Sequence, residues 1–202
     1  CLNTGCVPSK ALIKSAKVAH QMRQAARFGL SSTDPTFSFR QVMARVHQVI
    51  AEVAPHDSVE RYTQLGVDVR QGRACLLDPW TVAITDDKGA TERLTARAIV
   101  LATGARPFVP PLPGLDTVDY LTSDNLWTRL AERDSAPARL VVLGGGPVGC
   151  ELAQAFARLG SRVVQIEMAA QLMAREDAEV SDFVRSVLER DGVTVLLDHR
   201  AL

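Results

Sequence analysis

Net charge is what this sequence most plainly lacks. Its 202 residues carry 23 basic and 23 acidic side chains, so no excess field draws the chain to nucleic acid or to an anionic membrane. Apolar runs long enough to span a bilayer are missing as well. Cysteine is scarce, at four residues; that is too few for a secreted disulfide scaffold and points to a reducing cytoplasm. No internal repeat or low-complexity tract is present, and the length suffices for a sizeable core in one or two domains. The chain begins at Cys1 rather than Met and stops at Leu202 just after a predicted strand, so it reads as an internal stretch of something longer, with any targeting signal outside it.

What is present is concentrated at the start. Cys1-Leu-Asn-Thr-Gly-Cys6-Val-Pro-Ser-Lys10 places two thiols five positions apart at the opening of a helix, near a lysine. A regular helix would separate residues so spaced by ~7.5 Å of rise alone, beyond the ~7 Å that a disulfide tolerates between Cα atoms. Residues 3–5 must therefore be irregular, with Gly5 relaxing the backbone so that Cys1 folds back onto Cys6. The helix N-terminus favours negative charge on the Cys6 sulfur, and Lys10 adds to that field. Structural zinc sites favour shorter spacings and a second ligand pair, and the isolated Cys75 and Cys150 read as small buried apolar side chains. No metal site is expected.

Periodicity organises the rest. Residues 11–28 read as one helix with Gly29 as its C-cap and Pro8 in its first turn. Residues 39–65 read as a second, kinked or split at Pro55. Short strands follow at 67–69, 74–77, 81–85 and 94–101, with a hairpin turn at 86–89; residues 99–104 read as a buried strand. This is an α/β chain in which a small antiparallel sheet accompanies a parallel one. Residues 105–114 hold four prolines, a stiff connection that places a domain boundary between 113 and 114. Beyond it, Ser123 or Asp124 caps a short helix, and strands at 140–143, 162–167 and 193–197 alternate with helices at 151–159 and 177–190.

The turn between the first of those strands and its helix is Gly144-Gly145-Gly146-Pro147-Val148-Gly149. Its Gly-x-Gly-x-x-Gly spacing is weak alone, but it follows an apolar strand, opens a helix, and precedes Glu167 at the end of the next strand, the context of a dinucleotide site. Gly144 allows the sharp turn, Gly146 lets the backbone approach a pyrophosphate, and Gly149 lets helix and strand pack closely. Glu167 would accept ribose hydroxyls and repel a 2′-phosphate, favouring NADH over NADPH, although Arg162 and Arg175 leave NADPH open. Glu151, on the helix after the glycines, has a catalytic reading and an equally good one as a helix-dipole partner.

Taken in order, these motifs resemble the flavoprotein disulfide reductases, the pyridine nucleotide-disulfide oxidoreductase family. The dithiol run is similar to that family's redox-disulfide signature, Ala102-Thr103-Gly104-Ala105-Arg106-Pro107 to its junction between FAD and NAD(P)H domains, and the glycine turn to its second nucleotide site. The resemblance implies part of an FAD-binding Rossmann-like domain over residues 1–113, with an NAD(P)H-binding Rossmann-like domain over 114–202. It implies that electrons pass from NAD(P)H through FAD to a Cys1–Cys6 disulfide and on to a small disulfide or a metal ion. Cys1 would meet substrate, Cys6 and Lys10 would lie beside the flavin, Ala74, Thr103 and Gly104 would contact FAD, and Glu151 would stand near the nicotinamide. The plainer alternative for Lys10 is a solvated helix lysine.

The run from Glu151 to Ser161, with Arg175-Glu176-Asp177, is most similar to the mercuric-reductase-like branch, with dihydrolipoamide dehydrogenase as the alternative. Pro147 departs from relatives that carry an aromatic gate there. The resemblance further implies a cytoplasmic homodimer whose first FAD fingerprint and general-base histidine lie outside these residues, so that this stretch alone would not turn over. His20, His47, His56 and His199 fall outside any motif. A different class of function, a nucleotide-binding or thiol-sensing module without turnover, stays open at this level.

Overall fold

Gly5 and Gly29 bracket the first helical region. Helix α1 spans Cys6–Arg23, and a 3-10 turn at Ala25–Phe28 ends on Gly29, whose φ of 75° is the left-handed conformation that favours glycine. Helix α2, Phe39–Val53, stops just before Pro55. A 3-10 turn at Ala54–Asp57 and the short helix α3, Val59–Gln64, continue the chain, with the Ser58 hydroxyl accepting the Arg61 N–H at 3.1 Å. Pro55 thus splits the predicted 39–65 helix. These elements come from a computed structural model that describes residues 1–202.

Two compact units result, one formed by Cys1–Glu52 with Pro107–Leu202, the other by Val53–Arg106. In the second, strands β1 (Arg73–Asp78), β2 (Thr81–Thr85) and β3 (Thr91–Thr95) make an antiparallel sheet in that order. Asp86 closes the β2–β3 hairpin by accepting the Lys88 and Ala90 amides at 2.9 and 2.8 Å. Every residue of β1 and β3 is exposed, and only Ala83 on β2 is buried.

Three sequence expectations are corrected in this unit. Residues 67–69 and 99–104 form no strand, and Val100 is 87% exposed; an extended segment becomes a strand only when another pairs with it, and no strand of the chain pairs with either. Cys75 is exposed rather than buried, because it lies on β1.

The first unit carries the parallel sheet. Strands β4 (Arg139–Leu143), β5 (Arg162–Ile166) and β6 (Thr194–Leu196) pair in that order, with Val141 opposite Val164 and Ile166 opposite Leu196. Helices α5 (Pro147–Arg158) and α6 (Ala178–Arg190) connect them, giving the two predicted β-α-β units. The short helix α4, Leu126–Arg129, has Asn125 at its N-cap rather than Ser123 or Asp124, with the Asn125 side chain accepting the Thr122 N–H at 2.8 Å.

Helix α1 packs directly on α5. Leu12, Phe39, Met43, Val46, Phe156 and Val163 are fully buried in a core shared by α1, α2 and the β-α-β layer, each large side chain contributing about 1.5–3 kcal/mol by leaving water. Polar bonds fix the far end of α1. The Asp191 carboxylate accepts Gln154 Nε2 at 2.7 Å and Arg158 Nη2 at 2.8 Å and faces His20 Nδ1 at 3.4 Å. Burial, then the Arg158 charge, holds the His20 imidazole below its ordinary pKa, and His47 meets the Trp127 carbonyl at 3.1 Å. His20 is half-buried and His47 exposed, and neither lies within a motif.

Candidate active site

Cys6 is the first residue of α1, and residues 2–5 turn the chain back so that Cys1 lies against it. The Val7 N–H donates to the Cys1 carbonyl at 3.2 Å, and the two sulfurs stand 3.1 Å apart as exposed free thiols. Forming a disulfide of ~2.05 Å asks for a movement of about 1 Å. Gly5 is required for this approach: a Cβ there would fall 2.9 Å from Cys1 Cα. The loop is also anchored from afar. Trp127, 2% exposed, donates its indole N–H to the Thr4 carbonyl at 3.1 Å across 123 positions of sequence. Sequence reasoning missed Trp127, since nothing local marks a partner so distant.

One turn beyond Cys6, Lys10 Nζ meets both Glu151 carboxylate oxygens, at 2.6 and 2.5 Å. The side chains are 57% and 41% exposed, and such a surface pair contributes little stability, about 1 kcal/mol or less. Its consequence is positional, because it ties α1, which carries the thiol of Cys6, to α5 after the glycine turn. Glu151 is the fifth residue of α5, past the first turn, so pairing with Lys10 replaces the helix-dipole reading. Lys10 is accordingly not a freely solvated lysine. Beside Cys6 and Lys10 lies a shallow depression of about 400 Å³, lined also by Val7, Ala11, Val49, Lys14 and Arg45.

The glycine turn is tightly shaped and leaves amide groups free. Gly144 has φ of 109°, a conformation that L side chains rarely adopt, and a Cβ on Gly149 would fall 2.4 Å from the Gly144 carbonyl oxygen. Nothing lies within 4 Å of where a Cβ on Gly146 would be, which leaves open the space a ligand's phosphates need. Pro147 occupies the first helical position, and the N–H groups of Gly146, Val148 and Gly149 have no partner within the chain, so the turn fits an anion. Glu167 accepts the Gly145 N–H at 2.5 Å and the Ala169 N–H at 2.8 Å, one on each oxygen. Each oxygen keeps a second lone pair for a ribose hydroxyl.

Beneath the turn sits Cys150, buried as predicted. Burial pushes its thiol pKa up, which fits an inert packing group rather than a nucleophile. Gln165, which sequence reasoning also missed, touches both Cys150 and Gly144. The remaining candidates belong to the second unit. Ala74 is on β1 opposite Ile84, and Thr103 and Gly104 are exposed in irregular backbone, Gly104 with φ of 72°. The structure therefore brings Cys1, Cys6, Lys10 and Glu151 together in one unit, which also holds the glycine turn and Glu167.

The sequence pattern of the pyridine nucleotide-disulphide oxidoreductases matches residues 1–201. A mercuric reductase of Streptomyces lividans is 35% identical over 196 residues, covering 96% of this chain and 40% of that protein. A dihydrolipoyl dehydrogenase of Zymomonas mobilis is 32% identical over 199 residues, covering 97% and 41%. Among solved structures, the Cu(II) complex of the HOCl-induced flavoprotein disulfide reductase RclA from Escherichia coli superposes with a TM-score of 0.73 at 25% identity, covering 99% of this chain and 40% of that one. The chain thus spans about a third to two-fifths of the length of the relatives it matches.

Proposed function

This chain belongs to the pyridine nucleotide-disulphide oxidoreductase family, and from that premise we propose that the intact protein is an FAD-dependent NADH:disulfide oxidoreductase of the mercuric-reductase-like kind. The observation that carries the reading is the pair of sulfurs 3.1 Å apart on a helix that Lys10 ties to the dinucleotide helix through Glu151. In this reading residues 1–113 contribute to the FAD-binding part and residues 114–202 to the NADH-binding part of a homodimer. Ala74, Thr103 and Gly104 belong to the flavin contacts. Bound FAD would supply a hydride acceptor for NADH and the electron pair that reduces the Cys1–Cys6 disulfide.

The Cys1–Cys6 disulfide takes up two electrons and two protons to give the dithiol. With a disulfide substrate, the Cys1 thiolate attacks one substrate sulfur and releases the other as a thiol. Cys6 then attacks the Cys1 sulfur, releasing the second thiol and restoring the Cys1–Cys6 bond. With a thiophilic metal ion, the two thiolates are soft ligands able to hold it. Lys10 and Glu151 fix the register of α1 against α5, and the amides of Gly146, Val148 and Gly149 hold the NADH pyrophosphate. In this reading the protein is cytoplasmic, as its scarce cysteines suggest; separately, no helix of the chain is long and apolar enough to cross a membrane.

NADH is favoured because Glu167 presents its carboxylate where a 2′-phosphate would sit, a repulsion on the order of 1–4 kcal/mol at close range. The full-length protein is expected to show kcat/KM for NADH about tenfold or more above that for NADPH. It should reduce mercuric ion faster than it oxidises dihydrolipoamide with NAD. The reverse substrate order assigns the protein to dihydrolipoamide oxidation, and NADH binding without turnover of either substrate makes it a non-catalytic module.

A further inference from the structure

One peptide of the glycine turn is gripped at both ends. The Gly144 carbonyl accepts Gln165 Nε2–H at 3.0 Å, and the Gly145 N–H of the same peptide donates to Glu167 Oε2 at 2.5 Å. The planar trans peptide points these groups in opposite directions, so Gln165 on β5 and Glu167 just past the end of that strand together hold the whole plane. Gln165, flanked on β5 by the apolar Val164 and Ile166, has 0% exposure, and its Oε1 has no hydrogen-bond partner. A side chain chosen for packing would be apolar here, because a buried amide with an unmet acceptor is unfavourable. The polar group has a local target instead. Its Nε2 reaches Gly144 and, at 3.5 Å, the Cys150 sulfur, whose own S–H faces the Gly145 carbonyl at 3.4 Å.

We infer that Gln165 is a positioning residue for the dinucleotide turn: its buried amide holds the Gly144 carbonyl and thereby aims the free Gly146 N–H and the Glu167 carboxylate at the adenosine diphosphate half of the cofactor. The inference rests on reading this turn as the NADH site. Glu167 meets the ligand directly; Gln165 acts through the backbone.

The test is calorimetric binding of ADP-ribose, which carries no hydride, to the full-length protein. Gln165→Met keeps the side-chain length and removes the donor. Its affinity for ADP-ribose should fall about tenfold, its KM for NADH should rise in parallel, and its kcat at saturating NADH should stay within about twofold. Its thermal midpoint should stay within a few degrees, because removing the unmet Oε1 offsets the loss of the bond to the Gly144 carbonyl. A folded Gln165→Met protein with wild-type ADP-ribose affinity overturns the inference. If that variant does not fold, Gln165→Asn, whose amide is too short to reach Gly144, is measured in the same way: a comparable loss supports the inference and unchanged affinity overturns it. Wild-type protein that does not bind ADP-ribose removes the NADH reading itself, an outcome distinct from binding that is indifferent to residue 165.

Discussion

Replacing Cys6 by Ser in the full-length protein is expected to lower NADH-driven turnover of a disulfide or mercuric ion by about a thousandfold or more, with ADP-ribose affinity unchanged within about twofold. The substitution is nearly isosteric and leaves the folding contacts of the loop in place: the Val7 N–H still meets the Cys1 carbonyl, and Trp127 still donates to the Thr4 carbonyl. What it removes is the second sulfur, 3.1 Å from Cys1, without which no disulfide can form. Cys1→Ser should be equally damaging for the complementary reason, since it deletes the thiol assigned to substrate. Steady-state assays of both variants beside ADP-ribose calorimetry separate this chemistry from folding. Retention of a tenth or more of wild-type turnover by either variant would show that electrons reach substrate by another route.

Gly149→Ala should have the second largest effect, and on stability as well as binding. A Cβ at this position would lie 2.4 Å from the Gly144 carbonyl oxygen and 3.3 Å from Gln165 Nε2, so either the carbonyl leaves its bond to Gln165 or helix α5 moves off the strand. Overpacking of this kind costs about 1–3 kcal/mol. A protein of ordinary marginal stability should show that as a fall of several degrees in Tm, and the distorted turn should bind ADP-ribose at least about tenfold more weakly. Gly146→Ala is the informative contrast. Its Cβ would meet nothing within the chain, so Tm should hold while ADP-ribose affinity falls, because the new methyl enters the space assigned to the phosphates. Equal Tm losses in the two variants, or undiminished binding in Gly146→Ala, would contradict the assignment of the turn.

The parts of the molecule that local chemistry determines were legible in the residues. Pro55 interrupts a helix wherever it occurs in one, Gly29 is a left-handed cap, and the alternation of strand, glycine turn and helix from 139 onward folds as its pattern indicates. Gly5 and Gly149 turn out to be needed for the close approaches that their spacing implied. What stayed hidden depends on distant partners. Lys10 and Glu151 were each visible as candidates, but not their mutual bond across 141 positions. Residues 99–104 carry a strand's apolar run without a strand beside them to pair with, so β propensity alone misleads there. Gln165 escaped notice because a single polar residue in an apolar strand carries no period, and only the fold reveals which carbonyl it faces.

The account stands or falls on the reversibility of one sulfur pair. Full-length protein, denatured under argon and titrated with a thiol reagent before and after reaction with NADH, should gain two reactive thiols on reduction, those of Cys1 and Cys6. The Cys1→Ser and Cys6→Ser proteins should gain none. An identical thiol count before and after NADH in the wild-type protein would contradict the account.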